Sequence, residues 1–120
     1  MDVLRQRQIE ALTELYSYNK KMLEALPSLV WELEDNMQSN TLSYLNSFLE
    51  GLNWEIQVTN RCLNYINEDK IRLNKMQVSN TMDQLNRTIL ADEYIAVAEV
   101  LQNGVEAYLK DMQEIAKELI

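Results

Sequence analysis

The stretch from Thr41 to Asn67, TLSYLNSFLEGLNWEIQVTNRCLNYIN, constrains the fold more than any other part of the chain. Placed on a helix at about 100° per residue, its apolar residues fall into two stripes instead of one. The first holds Leu42, Leu45, Leu49, Leu52, Ile56, Leu63 and Ile66, flanked by Phe48 and Thr59. The second, roughly a third of a turn away, holds Tyr44, Gly51, Trp54, Val58, Cys62 and Tyr65. Only a narrow strip of Asn46, Glu50, Asn53, Gln57, Asn60, Arg61 and Asn64 stays polar. A helix apolar over that much of its circumference is central in its own fold or shared with another chain.

The rest of the chain reads as helices too. From Asp2 to about Met37, Leu4, Ile9, Leu12, Tyr16, Leu23, Leu26, Val30, Leu33 and Met37 recur at helical spacing. Pro27 removes a backbone donor and crowds the carbonyl of Leu23, yet the stripe continues in phase beyond it. The spacing predicts one long helix kinked near Ala25–Pro27; Ser28, a residue suited to helix starts, supports the alternative of two helices. Gln38-Ser39-Asn40 reads as a turn with Ser39 or Asn40 as cap, and Asn67–Lys70 as a second turn with Asp69 as cap. A third helix is expected from Ile71 to about Leu90, with Ile71, Val78, Met82, Leu85 and Ile89 inward and Lys75 out of place among them. Asp92 would cap the last helix, with Tyr94, Ala98, Leu101, Val105, Tyr108, Met112, Ile115 and Leu119 inward.

Two Gly and one Pro leave little turn chemistry for hairpins, and no alternating strand pattern is present. Short turns between long helices make neighbours antiparallel. The expected fold is all-α: one domain, 1–120, an up-down antiparallel four-helix bundle with a kinked first helix.

Composition excludes several functions. The chain has 11 Lys and Arg against 19 Asp and Glu, a net charge of −8, and no basic block. Nucleic-acid binding needs clustered cations against phosphates, so no nucleic-acid partner is expected. There is no histidine, which removes the usual general base, the Ser-His-Asp and Cys-His nucleophile systems and the His-containing metal sites. The one cysteine, Cys62, cannot form an internal disulfide, and it lies in an apolar stripe, where a thiol is an inert small hydrophobe. No apolar leader, membrane-length run or basic amphipathic face is visible. These readings give a cytoplasmic, non-enzymatic chain with no cofactor, no metal, no catalytic residue and no membrane partner.

Two surfaces stand out as candidate interfaces. One is the second stripe, Tyr44, Gly51, Trp54, Val58, Cys62 and Tyr65; Trp and Tyr are enriched at association surfaces, and Gly51 admits a close neighbour. The other is a strip of small residues on the last helix, Val100, Gly104 and Ala107, beside Val97. Four helices bury one stripe each, so both look like surplus apolar surface, which soluble monomers rarely leave exposed. The alternative is that each helix simply packs on two neighbours. Glu55, at the join of the two stripes, and Lys75 are misplaced charges; each is expected to snorkel to the surface.

Glu50-Gly51-Leu52-Asn53-Trp54, and Asp92-Glu93-Tyr94 followed by Ala98-Glu99-Val100-Leu101, resemble motifs of a family of small, uncharacterised bacterial helical proteins. In that family an EGL-x-W helix is followed by a DY…LADLL-type helix. This chain departs from the second motif at Gln102-Asn103-Gly104-Val105. The resemblance implies a bacterial, cytoplasmic, helical protein that is not an enzyme, and implies no ligand.

The functional expectation is protein contact, with the chain itself as partner in a homodimer, or another protein. A chaperone or adaptor that lays a client's amphipathic helix on the second stripe is one alternative. A bundle enclosing a metal or a small ligand is another.

Overall fold

The computed structural model describes residues 2–120. The chain is all-helical, with four long helical stretches and no strand among the described residues. Helix α1 (Val3–Leu33) leads, followed by α2 (Thr41–Arg61) and a short α3 (Leu63–Ile66). Helix α4 (Lys75–Leu90) then runs to α5 (Tyr94–Val100), which continues through a π turn (Leu101–Val105) into α6 (Glu106–Leu119). At 1.5 Å per residue α1 is about 46 Å long, and it sets the long dimension of a 51 × 24 × 19 Å particle.

Pro27 lies inside α1, which is unbroken across it. The single-helix reading therefore holds over the two-helix one. Pro27 is exposed, so its ring displaces no packing. Next to it, the Tyr44 hydroxyl donates to the Ala25 carbonyl at 2.9 Å. The helix stops at Leu33, short of the expected Met37. Asp35 adopts a left-handed φ of 73°, and the Asn36 side chain donates to the Trp31 and Glu34 carbonyls at the helix end.

The inward face of α1 is Leu12, Leu15, Asn19, Met22, Leu26, Leu29, Val30 and Leu33. It shares Leu12, Leu26, Val30 and Leu33 with the expected stripe, whereas Leu4 and Met37 are exposed. Helix α1, not the Thr41–Asn67 stretch, is the central element: α2 packs along one side of it and α5, the π turn and α6 along another. With α2 the pairing is antiparallel, since Ala25 meets Tyr44, Tyr18 meets Gly51 and Gln8 meets Cys62. With α6 it is also antiparallel. Asn19 bonds Leu109 midway, and Arg5 covers Tyr65, whose hydroxyl bonds the Leu119 carbonyl.

Helix α2 starts without the expected side-chain cap. The buried Thr41 hydroxyl instead ties down the turn before the helix, accepting from the Gln38 N–H at 2.7 Å and donating to Glu32 Oε1 at 2.6 Å. The helix is irregular at Cys62 but carries on, because the Cys62 N–H bonds Val58 and the Cys62 carbonyl accepts from Ile66. The expected third helix begins four residues late, at Lys75. The Asn67 side chain explains the delay: its Oδ1 accepts from the N–H groups of Arg72 and Leu73, and its Nδ2 donates to the Leu73 carbonyl. That clamp holds residues 67–73 as a loop, leaves Ile71 exposed, and makes Asn74 the cap of α4 in place of Asp69. Arg72 pins the same loop to Asp69 and Glu118.

Helix α4 buries only Leu85, in keeping with its polar composition. It rests on α5 and the π turn, with Thr81 set against Gly104. The helical spacing of the last stretch gives no sign of the π turn. π turns open a helix by one residue, and this one touches both α1 and α4.

Candidate functional site

The second stripe of the Thr41–Asn67 stretch folds onto α1 of the same chain. Tyr44 is half-buried and bonds Ala25. Gly51 is buried under Tyr18, and a Cβ there would collide with the phenol, 2.8 Å from its Cε2. Val58 and Cys62 are 5% and 1% exposed, with the Cys62 thiol 3.9 Å from the Gln8 carbonyl. Tyr65 holds Arg5 over its ring at 3.9 Å and donates to the Leu119 carbonyl at 2.8 Å. On the last helix, Val100 is buried and Gly104 lies against Thr81 of α4, where a Cβ would come within 2.6 Å of the Thr81 methyl. Ala107 is exposed beyond that contact.

Much of the apolar surface expected to be surplus is therefore taken up by contacts within the chain. The chain's own α1 and α4 cover most of the two strips, while Trp54 stays half-buried and Ala107 exposed. The two glycines serve those contacts: Gly51 admits Tyr18 and Gly104 admits Thr81 from the neighbouring helix.

One part of the seam stays open. Trp54 is half-buried and meets Tyr18 edge-on, ring centroids 5.5 Å apart at 79°. Tyr18 is 37% exposed. With Glu14, Ser47, Glu50 and Gly51 the pair lines an open depression of about 620 Å³. Tyr18 escaped the sequence reading because it lies off the main stripe of α1. The signal for it was Gly51, since a buried glycine in a helix calls for a bulky neighbour.

Glu55 departs furthest from expectation. It does not reach the surface: it is fully buried, and neither carboxylate oxygen has a hydrogen-bond partner. Burial pushes its pKa up to about 8, so it is protonated at neutral pH. The nearby Tyr108 hydroxyl hydrogen-bonds Thr59 Oγ1 at 2.8 Å, and burial, helped by Glu55, raises its pKa as well. Asn19 also lies in the core. Its amide donates to the Leu109 carbonyl at 2.8 Å and to Gln113 Oε1 at 2.9 Å, and its own oxygen is unpartnered. Lys75, by contrast, is exposed at the start of α4 as expected.

The thiol of Cys62 is raised by burial, against a smaller opposing effect of Arg61. Among the described residues no three or more of Cys, Asp and Glu gather as metal ligands would. No helix among them is long and apolar enough to cross a membrane.

The fold and this seam define a class: an all-helical protein wrapped on α1, with an aromatic pair open between α1 and α2. The chain belongs to the family described as domain of unknown function DUF8042, whose model matches residues 10–115. No curated protein and no solved structure matches it.

Proposed function

We propose that this chain is a non-enzymatic, up-down four-helix bundle that works by protein contact, and that its contact surface is the outer face of the α1–α2 hairpin. The observation that carries the reading is the Tyr18–Trp54 pair, two large aromatic rings left open over a glycine in a concave surface. Aromatic side chains in such a setting are the usual anchors of association. The absence of histidine, the burial of the one thiol and the sealing of Glu55 all favour binding over catalysis. A cytoplasmic location fits the lone unpaired cysteine. Self-association remains one form of the contact, now through this depression instead of the covered strips.

Two variants test the reading. Trp54→Ser removes one ring, and Ser47→Arg fills the depression from an exposed position that leaves the core untouched. Wild type and variants are immobilised and exposed to extract of the cells that make the protein, and each is also sized by sedimentation at tens of micromolar. A protein held by the wild type and lost by both variants supports the reading, as does a wild-type dimer that both variants dissociate. A monomer whose captured proteins are unchanged in both variants overturns it.

A further inference from the structure

We propose that the Tyr18–Trp54 depression takes a cationic side chain, arginine or lysine, from a protein partner. The inference rests on the contact reading above and gives that surface its chemistry. Aromatic faces attract cations through their quadrupole, and here they come with carboxylates. Glu14 lies one turn before Tyr18 on α1, and Glu50 one turn before Trp54 on α2. Because the two helices run antiparallel, the carboxylates bracket the ring pair from opposite ends, each about 6 Å along the axis from the ring on its own helix. Both are exposed, and among the described residues neither is in an ion pair.

The chain builds the complete arrangement elsewhere on the same seam. Arg5 sits 3.9 Å over the Tyr65 ring and pairs with Glu68 Oε1 at 2.8 Å. Lys20 likewise covers Tyr16, at 4.4 Å. Among the described residues no Lys or Arg covers Tyr18 or Trp54 in this way. The depression thus brings aromatic rings and carboxylates together, as at Tyr65 where they hold a guanidinium, and is open to a cation from outside.

Charge selects the occupant. The chain carries −8 overall, which steers basic partners toward it and repels acidic ones. A second copy presenting the same depression would set Glu14 and Glu50 against their own kind. An apolar helix would desolvate both carboxylates without pairing them, at considerable cost. A basic side chain satisfies rings and carboxylates together.

The test uses the full chain carrying Trp31→Phe, which leaves Trp54 as the only tryptophan. The Trp54 indole N–H is followed by NMR during titration with ethylguanidinium, with ethylurea as the uncharged analogue and sodium chloride matching ionic strength. A saturable shift is expected with ethylguanidinium and none with ethylurea. Glu14→Gln combined with Glu50→Gln should weaken the binding about tenfold, the effect of two exposed ion pairs in the middle of their usual range. Circular dichroism, unchanged by these exposed substitutions, guards against unfolding. A shift shared by ethylurea, or one undiminished in the double variant, overturns the cation assignment. If that happens while Trp54→Ser and Ser47→Arg still release a captured protein, the contact surface stands and only its chemistry falls.

Discussion

Glu55→Gln isolates the energetic consequence of the buried carboxyl. In the unfolded chain this group titrates near 4.5, and in the folded chain near 8. Between those values the unfolded state has released a proton that the folded state keeps. Stability therefore falls as pH rises through that window, and levels off above it. The contribution is fully present below about pH 4.5 and is lost by about pH 8. At about 1.4 kcal/mol per pH unit, the window is worth about 5 kcal/mol in all, of which about 3 kcal/mol is gone by pH 7. Against a typical total of about 5–15 kcal/mol, that is a large share. Glutamine keeps the shape and a donor but cannot ionise, so its stability should not follow this slope.

The expected result is two unfolding curves that diverge with pH. Wild type and Glu55→Gln should have similar stability near pH 5, and the variant should gain steadily up to pH 8. At pH 7 the gain of about 3 kcal/mol corresponds to a rise in melting temperature on the order of 10 °C for a chain of this size. Urea unfolding followed by circular dichroism from pH 5 to 8.5 measures it. Asp69 and Glu118, whose pKa values Arg72 lowers, act below this window and are common to both proteins. Parallel curves across pH 5–8 would refute the reasoning, because they would mean that Glu55 is hydrated or paired in solution.

Two further outcomes follow from the same structure. Pro27→Ala should stabilise the chain by about 1–3 kcal/mol, since it restores a donor to the Leu23 carbonyl inside an unbroken helix; a loss of about 2 kcal/mol in urea unfolding would show that Pro27 shapes a required bend. Val58→Glu should cost on the order of 3 kcal/mol or more and reduce helical circular dichroism, because Val58 is buried on the α1–α2 seam; a variant that stays folded and merely changes its mass would return Val58 to a surface between chains.

Helical class was legible because it depends on local periodicity, which one sequence carries. Leu12, Leu26, Val30 and Leu33 on α1, and Leu101, Val105, Tyr108, Met112 and Ile115 on the last helical stretch, are buried as their spacing requires. Ends were less legible, because side chains set them. The Asn67 clamp and the left-handed Asp35 depend on single hydrogen-bond choices that compete with helix at almost no cost in composition.

The site was half legible, for a reason that lies in the two stripes. Periodicity reports that a face is covered, and does not report what covers it. The stripe through Gly51 and Val58 carries the same signal whether α1 or a second chain lies on it, and α1 supplied the answer with Tyr18, a residue outside its own main stripe. Glu55 failed differently. A carboxyl between apolar stripes is read as a charge in need of water, yet one that stays protonated is a neutral group, and burial itself keeps the proton on. Of the second stripe, Trp54 stays half-buried, beside Tyr18 and lining one depression with two carboxylates. The proposed contact surface rests on that one place, where an aromatic pair and unpaired charge meet.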